Sequence, residues 1–424
     1  MHTLKEIYQD NEERNFIDPS LYSRYRVKAG LRNDNGTGVK VGLTKICDVI
    51  GYKIIHEKKY NIDGQLIYRG YPINYLVNKQ PSDKICGFEE TAYLLIFGTL
   101  PNVDQLKTFK DYLLNFKMGP VDLQYETPNI LNALQIEVLK LYAKDPSADT
   151  DDLEERMMKG LKILASIPLF TFSYARNKVF KSYPYPDRSL AENILCMARG
   201  NDQYTFEEAK IMDTLLMVHA DHGGGNNSTF ANVVISSTGT DIYSCISAAI
   251  GSLKGPKHGG ANCKVTNMFK AIFHEVGFTT DQTTLKKIAN RILDKDFFDH
   301  SGLIYGIGHA IYTKSDPRAL LIHEQCEALA KSKGQEEIYN CIHAFEKVAI
   351  EVMKEKKGID VCANVDYYSG YVYSLLGIEA DLFTPLFAIS RTAGWVSHHL
   401  ENRQSNRKLI RPANVYVGEM EEIK

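Results

Sequence analysis

Histidine, aspartate and arginine are concentrated with glycine in four well-separated segments of this 424-residue chain. The segments are HADHGGGNNSTF from His219, SLKGPKHGGANCKV from Ser252, GIGHAIYTKSDPRALL from Gly306 and CANVDYYSGYVYSLLG from Cys362. Imidazole and carboxylate groups transfer protons, and the planar guanidinium of arginine binds carboxylates in pairs of hydrogen bonds. Core packing alone does not require this composition, which indicates acid–base chemistry on an anionic substrate.

The first segment places His219 at the end of a predicted helix and His222 in a glycine loop. Two histidines can share a metal, but a catalytic zinc site uses three protein ligands, and no H-E-x-x-H or C-x-x-C set accompanies them. We therefore expect no metal. A structural role is favoured for His219, whereas a structural and a functional role remain equally open for His222.

The second segment stops one helix at Gly255-Pro256 and starts another just after His258. The positive end of a helix dipole disfavours a second positive charge, so this imidazole is predicted to be neutral. A neutral imidazole can donate a hydrogen bond to a developing enolate. The alternative is that the glycines cradle a phosphate, although the Lys-Ser/Thr ending of a P-loop is missing.

The last two segments supply a further histidine, an arginine and a carboxylate. His309 lies between glycines that would let backbone approach a ligand, and Arg318 follows in the first turn of a helix, where a cation is slightly disfavoured. Asp366 precedes an aromatic-rich helix and could act as a general base toward an acidic C–H. The alternatives are a surface charge at Arg318 and an ordinary helix cap at Asp366.

The elements that must position these residues are mainly helices. Capping signals recur along the chain, at Asn102, Ser189, Thr205 and Asp316-Pro317. Pro168 and Pro385 lie within apolar runs and are predicted to kink long helices. Polar and β-branched or aromatic residues alternate between Val39 and Arg69, which predicts a few short strands. Residues 1–40 are polar, end in the turn sequence NDNGTG and form a predicted extension.

Composition excludes several classes of partner. Positive and negative charges nearly cancel, to a net −2, so no basic face for nucleic acid or lipid is predicted. The segment MHTLKEIYQDNEER lacks a signal-peptide pattern, no apolar run could cross a membrane, and the eight cysteines contain no C-x-x-C pair. We expect a cytoplasmic protein with reduced, mostly buried thiols. Its length predicts two domains with a cleft between them.

Taken together, the segments resemble one family. The motifs G-P-x-H-G-G-A-N, G-x-G-H followed by D-P-R, and N-V-D-x-x-S-G occur in this order in citrate synthases and 2-methylcitrate synthases. The similarity extends from GLTKICDVIG and IYRGYPINYL through FEETAYLLIFGTLP to SRTAGWVSHHLENR and RPANVYVG. It covers nearly everything after about residue 40.

This resemblance implies a catalytic trio of His258, His309 and Asp366. Asp366 would remove a proton from the acetyl methyl group of acetyl-CoA while His258 hydrogen-bonds the thioester oxygen. His309 would polarise the ketone of oxaloacetate and supply its proton, after which water cleaves citryl-CoA. An acetyl C–H is too weak an acid for a free carboxylate, so such a site must stabilise the enolate and exclude water.

The resemblance also implies the binding residues. Arg318, Arg391, Arg411 and His222 would bind oxaloacetate, with Arg411 reaching the site of the neighbouring subunit in a homodimer. For coenzyme A, the backbone of Gly306, Ile307 and Gly308 would meet the adenine and Lys314 a phosphate. Acetyl-CoA is then a co-substrate, and no permanently bound cofactor or metal is expected.

The implied fold is multi-helical, with two domains and a small N-terminal β element. Residues 41–265 and 373–424 would form the large domain and the dimer interface, and residues 266–372 a small domain that closes over the cleft. The chain departs from the common family pattern in two places: Thr127-Pro128-Asn129 stands where His-Pro-Met is frequent, and Gly223 follows His222 where Glu or another residue is common. These departures bear on subtype and substrate detail.

Other functions remain open at this point. A 2-methylcitrate synthase would use propionyl-CoA with the same trio, because one methylene in an apolar pocket changes binding by only ~1–3 kcal/mol. A citryl-CoA lyase module lacks its accompanying ligase region here. A non-catalytic CoA-binding helical protein would bind without turnover, and a histidine-ligated metalloenzyme would lose activity with a chelator.

Overall fold

The computed structural model describes residues 3, 5–6, 9, 16–119, 121, 123, 127–405 and 408–418. It separates into two compact units, Met1–Leu43 with Ile410–Lys424, and Thr44–Leu409. The segment MHTLKEIYQDNEER, used above for the signal-peptide prediction, lies mostly outside the described residues. The predicted boundaries of a large and a small domain both fall within the second unit and stay a prediction.

Residues 16–43 of the terminal unit include a short helix and a tight turn. Helix α1 spans Ser20–Arg24, and a 3-10 turn spans Ala29–Leu31. The turn predicted in NDNGTG is present, because the N–H of Asn33 donates to the carbonyl of Thr37 and an antiparallel bridge joins Arg32 to Gly38.

Helices dominate the second unit, which confirms the mainly α prediction. Their bounds are α2 Ile73–Asn78, α3 Gly87–Phe97, α4 Val103–Leu114, α5 Ile130–Ala143, α6 Leu153–Ala175, α7 Leu190–Arg199, α8 Phe206–His219, α9 Asn227–Ser236, α10 Ile242–Leu253, α11 Ala261–Val276, α12 Gln282–Leu293, α13 Pro317–Ser332, α14 Glu336–Lys357, α15 Val365–Leu375 and α16 Phe383–Gln404. None of the helices in the described residues is long and apolar enough to cross a membrane.

The predicted helix starts are confirmed by their hydrogen bonds. Reciprocal capping boxes close the first turns at Asn102 with Gln105, Ser189 with Glu192 and Thr205 with Glu208. Asp316 caps α13 by accepting from the N–H of Arg318, with Pro317 at the first helical position. These caps satisfy N–H groups that no intrahelical carbonyl can reach.

The two helical prolines differ. Pro168 lies inside the long helix α6, and the kink predicted there stays a prediction. The prediction for Pro385 was wrong, because α16 begins at Phe383 and the proline occupies its first turn. A missing N–H costs nothing there, since first-turn N–H groups have no intrahelical partner.

Helix α16 is the central element of the packing. It is buried along almost its whole length and packs against α3, α6, α8, α9 and α10. Helix α13 packs against both α8 and α15, and α15 also packs against α11. Helix α13 therefore links α8 to α15, and α16 packs against α8 from another side of the same core. All eight cysteines are free, and six are buried, as their apolar surroundings predicted.

The predicted β region forms one antiparallel sheet. Its strands are β1 Cys47–Ile55, β2 Lys58–Tyr68 and β3 Tyr71–Pro72, in the order β1-β2-β3. The β1–β2 turn at His56 and Glu57 has positive φ at both residues, as a two-residue hairpin requires. The pairing shifts register between Ile50 and Tyr52, so the hairpin carries a bulge.

This bulge packs against the loop that follows His309. A Cβ at Gly51 would lie 2.4 Å from the carbonyl oxygen of Ile311, and one at Gly64 would lie 2.1 Å from that of Ser315. The N–H of Gly64 also donates to Ser315 Oγ at 3.1 Å. Glycine is needed at these strand positions because another backbone approaches closely.

Replacing Gly64 by alanine should therefore lower the melting temperature. The added methyl group would have to displace the Ser315 carbonyl or the Tyr312 ring, an overpacking that costs about 1–3 kcal/mol. Thermal unfolding followed by circular dichroism measures the change. Gly119→Ala is the matched control, because a Cβ there meets no atom within 4 Å. Equal melting temperatures for the two variants would contradict the close contact between hairpin and loop.

Candidate active site

His222 lies in the glycine-rich loop that connects α8 to α9. It is buried, and its Nε2 has no hydrogen-bond partner within the protein. Its ring meets that of His309 edge-on, with centroids 5.1 Å apart. Burial, together with the positive charges of Arg318 and other neighbours, holds the pKa of His222 well below its ordinary value. The imidazole is therefore neutral, and the functional interpretation is favoured over the structural one.

His309 is held by its own loop. Its Nδ1 accepts hydrogen bonds from the backbone N–H groups of Ile311 and Tyr312, both at 3.1 Å. Its ring also stacks on the Tyr312 ring at 4.7 Å. Because Nδ1 is an acceptor, the neutral ring carries its proton on Nε2. The loop thus fixes a donor on the opposite edge of the imidazole.

His258 lies in the turn between α10 and α11, two residues before the N-cap of α11 at Gly260. Burial first, and the charge of Arg391 second, lower the pKa of His258 to about 4. The predicted neutral imidazole is confirmed, but these causes differ from the helix dipole on which the prediction was based.

The tautomer of His258 depends on Ser228. Its Nε2 lies 3.1 Å from Ser228 Oγ, which accepts a hydrogen bond from Trp395 Nε1 at 3.2 Å and also lies 2.9 Å from Asn226 Oδ1. The hydroxyl has one proton to give to either His258 or Asn226. If His258 receives it, the imidazole carries its own proton on Nδ1.

Arg318 and Arg391, two of the three arginines predicted to bind oxaloacetate, are buried in different environments. The guanidinium of Arg318 donates to both oxygens of Asp316, at 3.0 and 2.6 Å. Arg391 donates from Nε to the carbonyl of His219 at 2.6 Å, while its Nη1 and Nη2 are buried without partners in the protein. Buried guanidinium donors without partners form a site for a carboxylate.

Asp366 lies in the first turn of α15, where its N–H donates to Asn364 Oδ1 at 3.0 Å. The residue is partly exposed, but its Oδ1 is buried and has no partner in the protein. Burial raises the pKa of Asp366 to about 7, and the nearby Asp316 adds to this, against the opposing charges of Arg318 and Arg391. Such a carboxylate is a stronger base than an exposed one.

The charges of these groups affect one another's pKa values, so the structure brings six predicted residues together. They are His222, His258, His309, Arg318, Asp366 and Arg391. The pKa of His222 responds to charges at Arg318, His309, Arg391 and His258, and that of Asp366 responds to the same two arginines. Arg411 is exposed and belongs to the terminal unit, while Lys314 is exposed on the loop before α13. The predicted roles of Arg411 and Lys314 remain predictions.

The glycines before His309 have a structural reason that the sequence did not reveal. A Cβ on Gly306 would lie 2.8 Å from the ring of Tyr367. The carbonyl of Gly306 accepts from Asn364 N–H, and the N–H of Gly308 donates to the carbonyl of Cys362, each at 2.8 Å. The backbone of these two glycines therefore packs closely against the start of α15 and the residues before it. Contact of Gly306, Ile307 and Gly308 with a coenzyme stays a prediction.

Two buried residues of the first segment were not assigned a function. His219 keeps the predicted structural contact, its Nδ1 lying 2.8 Å from the carbonyl of Leu215, but its Nε2 has no partner in the protein. Asp221 pairs with His398 at 3.0 Å and faces Arg391, and its Oδ1 also has no partner. Their signal in the sequence was the dense polar string H-A-D-H.

The arrangement supports proton transfer on a multiply charged anion. Neutral imidazoles can donate hydrogen bonds, a carboxylate with a raised pKa can remove a proton, and two guanidinium groups can hold carboxylates. Among the described residues, no group of three or more His, Cys, Asp or Glu is placed to hold a metal ion.

Comparisons with known proteins agree on one family. The family model for the citrate synthase C-terminal domain matches residues 33–413. A citrate synthase from Haloferax volcanii is 37% identical over 386 residues, covering 87% of this chain and 94% of that protein. A 2-methylcitrate synthase from Corynebacterium glutamicum is 33% identical over 366 residues, covering 83% and 89%.

Solved structures extend the agreement to the fold. Citrate synthase from Thermotoga maritima superposes with a TM-score of 0.74 at 28% identity, covering 94% of this chain and 98% of that one. Citrate synthase from Thermoplasma acidophilum, in a ternary complex with carboxymethyl coenzyme A and oxaloacetate, gives a TM-score of 0.76 at 25% identity, with the same coverage.

The raised pKa of Asp366 predicts a pH-dependent effect of Asp366→Asn on stability. In the unfolded chain this carboxyl ionises near its ordinary pKa, so above about pH 7 the folded state must hold a charge that burial disfavours. Asparagine removes that cost. The variant should melt higher than the wild type at pH 8, and the difference should shrink as the pH falls toward 4. A constant difference across this range would contradict the assignment.

Proposed function

The chain belongs to the citrate synthase family of acyltransferases, and we propose that it joins the acetyl group of acetyl-CoA to the ketone carbon of oxaloacetate. It then hydrolyses the resulting citryl thioester to citrate and free coenzyme A. The observation that carries this proposal is Asp366, a shielded carboxylate with a pKa of about 7, in one site with neutral imidazoles and two buried arginines.

The first step is removal of a proton from the acetyl methyl group by Asp366. The electron pair of the broken C–H bond moves toward the thioester oxygen, where His258 donates a hydrogen bond. We assign the donating role to His258 Nδ1, because Nε2 is directed at Ser228. This requires Ser228 to give its proton to Nε2 instead of to Asn226 Oδ1, which lies 2.9 Å from its hydroxyl. Ser228 and Trp395 thereby position the electrophile that stabilises the enolate.

The second step is attack of the enolate carbon on the ketone of oxaloacetate. His309 carries its proton on Nε2, because Nδ1 accepts two backbone N–H groups, and this proton goes to the new alkoxide. Arg318 and Arg391 hold the carboxylates of oxaloacetate, and His222 orients the substrate through its Nε2. Fixed charges that need not reorganise lower the barrier most effectively.

The final step is hydrolysis. Water adds to the thioester carbonyl of citryl-CoA, the C–S bond breaks, one proton of the water goes to the thiolate as coenzyme A departs, and the new carboxyl group releases the other to solvent. Asp366 returns the methyl proton to solvent and His309 takes up a proton from solvent, so both groups regain their starting states. Oxaloacetate and acetyl-CoA are thus consumed as substrates, and acetyl-CoA is not a resident cofactor. For coenzyme A itself we propose contacts with Lys314 and the backbone of Gly306, Ile307 and Gly308.

A 2-methylcitrate synthase activity is the second candidate, because relatives with that name match over most of the chain. The catalytic residues would be the same. Discrimination between acetyl and propionyl groups would rest on one methylene, worth ~1–3 kcal/mol in an apolar pocket.

We further propose a cytoplasmic homodimer in which Arg411 completes the oxaloacetate site of the partner. Residues 266–372 would act as the small domain that closes over the cleft. Helix α5 supports a dimer, since it presents three large apolar side chains to solvent on one face, namely Ile136, Leu139 and Tyr142. An apolar helix face of this kind is typical of a subunit interface.

Release of free coenzyme A thiol tests the proposed reaction directly. Purified protein receives oxaloacetate with acetyl-CoA or propionyl-CoA over matched concentrations, with oxaloacetate omitted as a control. Oxaloacetate-dependent release that is faster from acetyl-CoA is expected, and Asp366→Ala and His258→Ala should lose most of it while remaining folded. A preference for propionyl-CoA would reassign the substrate, and no release from either would contradict the proposal.

Hybrid dimers test whether Arg411 acts in trans. Arg411→Ala and Asp366→Ala chains carry different affinity tags, are co-expressed, and are purified over both tags. Each variant alone should be nearly inactive at low oxaloacetate. In the hybrid, one of the two sites has both residues intact if Arg411 comes from the partner, which gives about half of the wild-type rate. A hybrid no more active than its parents would place Arg411 in its own subunit's site, and failure to isolate any hybrid would contradict the dimer.

A further inference from the structure

We propose that Asn364 is a positioning residue that ties His309 and Asp366 together, so that the group polarising the ketone and the base keep a fixed separation. This inference rests on the proposed function, because it takes its roles for His309 and Asp366 from there. Asn364 itself need not touch either substrate.

The side chain and backbone of Asn364 bond in two directions. Its Oδ1 accepts the N–H of Asp366 at 3.0 Å, which caps α15. Its Nδ2 donates to the carbonyl of Gly308 at 2.8 Å, and its backbone N–H donates to the carbonyl of Gly306 at 2.8 Å. Gly308 is the residue before His309. The side-chain amide of Asn364 therefore joins the start of α15, which carries the base Asp366, to the loop that carries the acid His309.

Asparagine is the residue type that fits this double task. Its amide is a donor and an acceptor at once, with both atoms fixed in one plane. Aspartate keeps the acceptor for Asp366 but places a second oxygen against the Gly308 carbonyl. Serine can cap a helix, but its shorter side chain does not span both bonds.

The backbone around Asn364 keeps the two segments in register. The N–H of Gly308 donates to the carbonyl of Cys362 at 2.8 Å, and a two-residue bridge pairs Ile307 with Ala363. A Cβ on Gly306 would clash with Tyr367, so the loop is pressed against α15. The loop and the helix start thus form one small rigid body, in which the amide of Asn364 makes the bond next to His309.

The simpler alternative is that Asn364 only caps α15. Asn129 provides a matched control, because it caps α5 through the same type of bond, its Oδ1 accepting the N–H of Leu131 at 2.9 Å. Exchange of either asparagine for aspartate keeps a capping acceptor. Only at position 364 does the exchange also remove a side-chain N–H that donates to the loop carrying His309.

The experiment compares Asn364→Asp, Asn129→Asp and Asp366→Asn with the wild type. The carbonyl stretching frequency of bound oxaloacetate, measured by infrared difference spectroscopy without acyl-CoA, reports polarisation by His309. Thiol release gives kcat and the KM for oxaloacetate. Circular dichroism and melting temperature report folding.

Asn364→Asp should lose most of the frequency shift that binding produces and lower kcat by on the order of tenfold or more. The KM for oxaloacetate should change much less, because Arg318 and Arg391 remain. Asp366→Asn should lose turnover yet keep the frequency shift, since the tie to Gly308 persists. Asn129→Asp should keep the frequency shift, because its side chain caps α5 and makes no recorded bond to the loop of His309.

A normal frequency shift and kcat in folded Asn364→Asp would overturn the inference. If that variant does not fold, Asn364→Ser serves instead and gives the same expected and opposing results. Failure of the proposed function is distinguishable, since the wild-type protein would then show neither thiol release nor an oxaloacetate spectrum.

Discussion

Two buried arginine side chains influence the pKa values of the other active-site groups and provide donors for the carboxylates of a substrate. A buried guanidinium is costly unless acids or ligands face it. Arg318 has Asp316 along one edge, and Arg391 faces Asp221 while its Nη groups remain available to a ligand. The same charges disfavour protonation of the neighbouring histidines and oppose the burial that raises the pKa of Asp366. Burial is the larger cause of these pKa shifts, and the same pair of cations both modifies them and can bind the charge of the substrate.

Helix α16 maintains this arrangement because it passes very close to the end of α8. A Cβ on Gly394 would lie 2.5 Å from the carbonyl oxygen of Ala220, and the Gly394 N–H donates to that oxygen at 3.1 Å. One turn before this contact the helix carries Arg391, and immediately after it Trp395, which donates to Ser228 behind His258. A single buried helix therefore positions a carboxylate-binding group and the support of the thioester-activating imidazole.

Features that depend on residues a few positions apart could be predicted from the sequence. The caps at Ser189 and Thr205 need only a glutamate three residues later, and the active-site segments are recognisable as strings of polar residues and glycine. Features that depend on distant neighbours could not. Pro385 falls in the first turn of a helix that begins only at Phe383, Gly306 is required by a ring on another helix, and His258 is neutral mainly through burial. The meaning of a glycine or the pKa of a histidine follows from atoms that the local sequence does not contain.

The contact between the β-hairpin and the loop after His309 joins residues that are far apart in the chain. Gly64 and Ser315 are 251 positions apart. Closing so long a segment costs conformational entropy, which the helices between them must first offset by assembling a core. During synthesis the hairpin leaves the ribosome early, whereas the loop after His309 is made only after most of the helices. A newly made chain therefore completes its active site late, well after its secondary structure has formed.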